Sequence, residues 1–572
     1  MLVAMMLIAA CGGDDDDDDD AGQTDPTATT EVADSTPTEA GDDDEATEPA
    51  GDDPTEPADD GDDDGETTVL SFDAATTGGG GGQANAPLTA YCWVINGGSM
   101  FEVFRMVDSR LIAWNAEMTD YVGEIAESWE AEDTTITFNL RENALWHDGT
   151  PVTANDILFT FNVVANPDAG SRWAPTFSFV EGFDALQNGE ADTMSGLTAP
   201  DDYTVVMELT QADSGILPGL PQLGIMPEHI LGDVPPAEIC ENSYWVEDRV
   251  SSGPYVWSEL VEGQRIELEA FDDYFLGAPE IDEVNLLLFD NYETSLAAFE
   301  QQSSLGAPLT ADSLDYAESL DFAQIEQMST GVLGIFLNTD MEAFSDPLVR
   351  QAMAYAIDQE AIAETLFAGV AAEPTSQTMP WLDWTDSPEL TEYGYDPEMA
   401  QSLLDEAGWD SSEEHVLWYY YPDQVSTSVV EAIQQYWTAV GINVSIRLDE
   451  GGARQAAIDD GTWALTYGAW GINPPVAMNS IWSCAAGGVG YPCIEEYDEL
   501  LAQARSTFDE EEQRELYRQA IALQNEVLPT VFLWNRFNLL VVNEQLNTGE
   551  NGAWAAGSLM YHNYAEDWTL ED

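Results

Sequence analysis

Between Gly12 and Glu66 the chain carries 25 Asp or Glu and no basic residue, interspersed mostly with Thr, Pro, Ala and Gly. Such a stretch cannot bury enough apolar surface to offset the entropy lost on ordering it, and its charges repel one another. It reads as a disordered, extended tether over 12–66, which leaves the rest of the chain to form the folded body. Within it Asp60, Asp62, Asp64 and Gly65 imitate the first half of an EF-hand loop. The twelfth position falls on Ser71 where a bidentate Glu is required, so loose ion condensation is expected and no calcium site.

The chain of 572 residues exceeds what one core organises, roughly 250–300 residues, so several lobes are expected. Its 110 acidic residues face 13 basic ones, and all of these are Arg. With no Lys, a Walker P-loop, a pyridoxal Schiff base and a Ser-Lys pair are excluded. Nucleic acid is an equally poor partner, because affinity for a phosphate backbone comes from clustered Lys and Arg. The acidity of the body reads as a solvated surface.

Ahead of the tether, MLVAMMLIAA is wholly apolar and ends in small residues before Cys11. At ten residues it is too short to span a bilayer core of about 30 Å as a helix. It resembles a bacterial lipoprotein signal, which implies that Cys11 becomes the lipid-bearing mature N-terminus, although no basic residue precedes the apolar run. Four other cysteines remain, none in C-x-x-C spacing. Cys484 and Cys493 flank the Gly-rich AAGGVGYP and are the preferred disulfide for an exported chain, with Cys92–Cys240 as the default second pairing.

Motifs for bond-making chemistry are mostly missing. His147, His229, His415 and His562 lie far apart without metal-ligand spacing, and no G-x-S-x-G or G-x-G-x-x-G is present. A glycosidase-like carboxylate pair carries no information here, since among so many acids some pair always exists. Neither an enzyme, a metal nor a cofactor is expected.

Short alternating runs predict strands at Ile136-Phe138-Leu140, Val205-Met207-Leu209 and Ile266-Leu268-Ala270. Asp346-Pro347 and Asp396-Pro397 each read as an N-cap followed by proline at the first helical position, with the helices running to Gly369 and Gly408. Val429, Val430, Ile433 and Trp437 form a helical stripe ending at Gly441, followed by the strand pattern Ile442-Val444-Ile446-Leu448. Residues 497–527 predict one or two long helices before a strand at Thr530–Trp534. The sum is an α/β protein.

The segment IAESWEAEDTTITFNLRENALWHDGTPVTANDILFTF (125–161) resembles the signature region of the family 5 extracellular solute-binding proteins, the oligopeptide- and dipeptide-type receptors of ABC importers. SSGPYVW (251–257), IELEAFDDYFLGAPEIDEV (266–284), FLNTDMEAFSDPLVRQAMAYAIDQEAI (336–362), YGYDPEMAQSLLDEAGW (393–409), VVEAIQQYWTAVGINVSIRL (429–448) and YDELLAQARSTFDEEEQRELYRQA (497–520) follow in family order. Trp146–Pro151 has the composition of a tight turn leading to a helix near Ala154. Ser252-Gly253-Pro254-Tyr255 reads as a crossover between lobes.

The resemblance implies a two-lobed periplasmic-binding-protein-like fold (class II, large cluster) with an extra subdomain on lobe I. Lobe I would comprise 67–122, 226–335 and 536–572, the extra subdomain 123–225 and lobe II 336–535. It further implies a monomer held at the outer face of the cell membrane through its lipid. The cleft would capture oligopeptides or a similar medium-sized solute and deliver it to an ABC permease and ATPase. Peptide-binding members carry a Trp followed shortly by an Asp that pairs with the peptide's α-ammonium. Here Trp470-Gly471-Ile472-Asn473 puts Asn473 at or beside the acidic position, which removes a charge-assisted bond of about 1.5–3 kcal/mol. Trp470, Gly471 and Asn473 are the expected ligand contacts, with oligosaccharide as the alternative ligand. Aromatic residues at Trp381, Trp384, Trp418–Tyr421 and Trp482 are further candidates for a cleft lining. The competing class is a surface-anchored hydrolase or adhesion protein.

Overall fold

A computed structural model describes residues 67–73, 92–94, 101–116, 119–247, 249–289, 291–367, 382–385, 390–421, 424–449, 452–471, 494–549 and 564–571. Cys11, Asn473, Cys484, Cys493, His562, Trp381 and Trp482 fall outside them.

Period-2 burial builds the first sheet. Val69–Asp73 runs parallel to Glu283–Leu287, which pairs antiparallel with Arg265–Ala270, followed by Tyr255–Val261. Leu70, Phe72, Ile266, Leu268, Val284 and Leu286 all point into one core. A second four-stranded sheet contributes to the same core: Ala126–Glu132, Thr135–Leu140, Thr204–Glu208 and Leu197–Asp201, in that spatial order. The predicted inward residues Ile136, Phe138, Val205 and Met207 are fully buried there.

Trp146–Pro151 is the expected tight turn. Gly149 has φ +83°, its N–H donates to the Trp146 carbonyl at 2.8 Å, and Leu145 bridges to Pro151. The helix Ala154–Ala165 then starts with a capping box formed by Thr153 and Asp156. The Ser252–Tyr255 segment does not cross between lobes. It braces this one core: the Ser251 N–H donates to His147 Nδ1 at 3.3 Å and Ser109 Oγ donates to the Ser252 carbonyl at 2.7 Å. A Cβ on Gly253 would sit 2.5 Å from the Val107 carbonyl, so only glycine allows that approach. Cys92 is bonded to Cys240, with Cα atoms 5.4 Å apart; the pairing ranked second from spacing is the one present among the described residues.

The second large core surrounds a six-stranded sheet. Its helices begin where the caps predict. The N–H of Leu348 donates to Asp346 at 2.9 Å and that of Met399 donates to Asp396 at 2.8 Å. The first helix is shorter than expected: it ends at Tyr355, and Asp358 caps a separate helix, Gln359–Leu366. Val429, Val430, Ile433 and Trp437 are fully buried on the helix Gln424–Ala439, and Gly441 (φ +85°) turns the chain into the strand Asn443–Leu448. Residues 497–527 resolve into two helices, Glu495–Arg505 and Glu510–Val527.

A ribbon of two long antiparallel strands, Ala323–Leu337 and Thr530–Asn543, connects the cores. At one end Val332, Ile335, Leu337 and Val531–Trp534 belong to the second core. Towards the other end the faces alternate: Leu540 and Val542 enter the first core, while Leu539 and Val541 close a small third core with Phe299, Ala307 and Leu314. A register shift at Ser329/Gly331 lies where the ribbon leaves the second core, and another at Leu333/Gly334 falls within that core.

Candidate ligand-binding site

In an open α/β sheet, ligands bind beyond the carboxyl ends of parallel strands, where no side chain of the strand itself fills the space. The strand Glu414–Tyr419 runs parallel to both Asn443–Leu448 and Leu465–Gly471. Their carboxyl ends therefore gather Tyr420 and Tyr421, Asp449, and Ala469-Trp470-Gly471 on one edge. Pairing fixes the position of that edge: Trp470 lies opposite Val332 and Gly471 opposite Gly331, the residue at the ribbon's register shift. Trp470 and Gly471 thus sit where the chain passes between cores, and Asn473 follows two residues beyond the strand end.

The edge is built from aromatic and charged groups that brace one another. Tyr420 Oη accepts the Ala469 N–H at 3.3 Å, and Tyr421 Oη donates to Tyr420 Oη at 3.2 Å with ring centroids 4.3 Å apart. Arg454 lies 5.2 Å above the Tyr420 ring and pairs with Asp449 at 3.4 Å, while its own backbone N–H is held by the Asp449 carboxylate at 3.0 Å. A Cβ at Gly468 would fall 2.7 Å from Tyr420 Oη, so glycine lets the phenol lie across the strand. The result is a ledge of two tyrosines and one guanidinium.

The aromatic candidates divide. Trp418 and Tyr419 are buried, with Trp418 under Arg447 at 5.0 Å, and serve as packing. Tyr420 and Tyr421 are half-buried at the edge, and Trp384 lines a different cavity. Sequence reasoning did not single out Arg454 or Gly468. The signal for Arg454 was the scarcity of Arg itself; Gly468 becomes meaningful only when the strand Leu465–Gly471 is laid beside Tyr420.

The histidines do not converge. His147 is half-buried, its Nε2 is 3.0 Å from the Gly253 carbonyl, and desolvation pushes its pKa down to about 4. His229 lies 3.0 Å from Asp148, and His415 is wedged against Phe344 and Trp409. Among the described residues no group of three or more His, Cys, Asp or Glu is arranged to hold a metal ion, and no helix is long and apolar enough to cross a membrane.

The model of the bacterial extracellular solute-binding proteins, family 5 (middle), matches residues 120–491, well over half of the chain. The chain belongs to this family. It is 29% identical to an ABC transporter peptide-binding protein of Brucella ovis over 58% of this chain; the match spans 61% of that relative's length. It is 25% identical to the dipeptide-binding protein of Escherichia coli over 74% of this chain and 83% of the relative. The oligopeptide-binding protein AppA of Bacillus subtilis, solved in complex with a nonapeptide, has the same fold: TM-score 0.66 at 21% identity, covering 88% of this chain and all of that one. The fold is thus the two-lobed periplasmic-binding-protein fold. Members of family 5 are extracytoplasmic substrate-binding components of transport systems.

Proposed function

We propose that this chain is the capture component of an ABC importer, which takes up oligopeptides or a similar medium-sized solute between its lobes and hands it to a permease and ATPase. The observation that carries the reading is the position of Trp470 and Gly471, at the carboxyl edge of parallel strands and opposite the point where the ribbon changes core. The lobes would be 67–122, 226–335 and 536–572 on one side and 336–535 on the other, with 123–225 as the extra subdomain. Ligand touching both lobes stabilises their closed arrangement by its differential affinity, and the permease reads that state. Trp470 provides a flat apolar face, Gly471 lets ligand backbone approach, and Asn473 offers an amide donor and acceptor.

Because Asn473 stands at or beside the carboxylate expected for an α-ammonium, the site grips peptide backbone and side chains more than the amino terminus. Cys11 bears the lipid, 12–66 is the tether, and the monomer works at the outer face of the membrane. Binding of a mixed pool of tri- to nonapeptides to the full chain, followed by titration calorimetry, tests this. Saturable binding that Trp470→Ala weakens and N-acetylation of the peptide leaves intact is expected. Binding of oligosaccharides alone would move the assignment to the other ligand class. For the anchor, Cys11→Ser should release the protein from membranes; unchanged membrane association would refute the lipid.

A further inference from the structure

Arg454 sits on the helix Ala453–Asp459, which follows the strand Asn443–Leu448, and the ledge uses only part of its guanidinium. One face lies 5.2 Å from the centre of the Tyr420 ring. The Nε edge is 3.4 Å from Asp449 Oδ2, and the other oxygen of that carboxylate accepts the Arg454 backbone N–H at 3.0 Å. Both Asp449 oxygens are therefore engaged, and among the described residues no other carboxylate comes within ion-pair distance of this guanidinium. The two terminal nitrogens, Nη1 and Nη2, have no hydrogen-bond partner among the described residues, and of the three guanidinium nitrogens only Nε is sealed from solvent. The side chain is 12% exposed, and the exposed part includes the terminal fork.

A guanidinium carries donors only and stays charged throughout the working pH range of a protein. Water serves an open fork in the free chain, so a ligand that displaces the water has to supply acceptors in its place. The two oxygens of a carboxylate match the fork in spacing and charge; an apolar group leaves the donors unpaired, and an ammonium is repelled. The fork is also held before anything binds, by the Tyr420 ring on one side and Asp449 on another, which reduces the rotamer entropy lost on binding. The chain's net charge of -97 opposes anions at long range, but exposed charges beyond about 8 Å are screened at physiological ionic strength, so the nearest group decides.

We propose that Arg454 determines specificity at the capture site by pairing its terminal nitrogens with a carboxylate of the ligand. The inference rests on the reading of this chain as the capture component for peptides or similar solutes. It complements Asn473: the edge that lacks an acid for the peptide's ammonium offers a cation to its carboxylate. That carboxylate belongs either to the ligand's C-terminus or to an acidic side chain, and the two sources are separable by experiment.

The test is native mass spectrometry of the full chain offered three competing pools of tri- to nonapeptides built from Gly, Ala, Leu and Tyr. The first pool has a free C-terminus, the second is amidated, and the third is amidated and carries one internal Glu. The parent should prefer a carboxylate-bearing pool over the plain amide by about tenfold or more, as expected of a charge-assisted pair. Preference for the first pool assigns the C-terminus, and preference for the third alone assigns the side chain. Arg454→Met, which keeps most of the stem, should bind all three pools alike and hold the plain amide as the parent does. Arg454→Lys, with the charge but without the fork, should fall between. A purely structural role would weaken all pools together and leave their ratio unchanged, so the ratio is the readout. Equal binding of the three pools by the parent, or an unchanged ratio in Arg454→Met, would overturn the carboxylate pairing and leave peptide capture standing. Binding of none of them by the parent would overturn both.

Discussion

The two large cores handle buried charge in opposite ways. In the first, Arg249 reaches Asp108 at 2.5 Å while lying 4.6 Å above Phe104, and Arg110 reaches Glu124 at 2.7 Å, with all four residues buried. Two further acids lie there without an ion-pair partner among the described residues, Asp73 buried and Glu566 half-buried; desolvation raises each to about 7, eased for Asp73 by a hydrogen bond from Ser295. In the second core the deep arginine, Arg350, has carbonyls for partners. It donates to Phe344 and Ser345 at 2.6 and 2.9 Å and to Val527 at 2.7 Å, closing the carboxyl end of the Glu510–Val527 helix where the helix dipole is negative. The rest of that core is sheet and helix packing around Trp437 and Trp534. Among the described residues the first core contains buried ion pairs and a disulfide, whereas the deep arginine of the second is satisfied by backbone carbonyls, and the two should respond differently to the same perturbations.

The largest expected effect is Arg249→Met, which leaves Asp108 charged and buried and should cost about 3–5 kcal/mol in denaturant unfolding. Replacing both partners, Arg249→Met with Asp108→Leu, should recover much of that loss. A single change costing under about 1 kcal/mol would show that the pair does not hold the core. Next comes removal of the Cys92–Cys240 bridge alone by Cys92→Ser with Cys240→Ser, which opens a link across a separation of 148 residues. It should destabilise the first core by about 2–5 kcal/mol and split the calorimetric transition, with the second core melting where it did before. A uniform downward shift of one transition would mean that the cores unfold as a unit.

A smaller effect concerns pH. Asp73 and Glu566 have folded pKa values of about 7, above the unfolded values of 3.8 and 4.5, so the native state holds more protons between these limits. Stability from these groups is full below about pH 4 and falls as pH rises through about 7. Asp73→Asn and Glu566→Gln should therefore raise the melting temperature at pH 8 and give no gain at pH 4. An equal gain at both pH values would show that the carboxyl charge is not the cause. Smallest of all, Glu510→Gln removes the exposed Glu510–Arg514 pair and should change stability by no more than about 0.5 kcal/mol, lost in high salt.

Local grammar was the legible part. Asp346-Pro347, Asp396-Pro397 and Gly441 mark element ends because capping and left-handed turns are encoded within a few residues, and the structure keeps all three. What sequence could not supply was distance along the chain. The strand predicted to end at Trp534 continues to Asn543, because its length is set by the partner strand Ala323–Leu337 some 200 residues earlier (roughly). Cys92 and Cys240 share no local cue at a separation of 148, so the nearer pair Cys484 and Cys493, outside the described residues, looked better. The Asp358 cap was hidden inside a continuous helical pattern. At the candidate site, Trp470 is an expectation that rests on the resemblance alone, whereas the ledge of Tyr420, Gly468 and Arg454 is visible only once three strand ends are brought together.

Native mass spectrometry of the full chain, purified gently and without added ligand, tests the central claim most directly. The account predicts the chain together with a ladder of heterogeneous non-covalent adducts that dissociate as peptides, lost in Trp470→Ala. Bare chain alone, with peptides offered in solution left unbound or cut into fragments, would contradict a capture role.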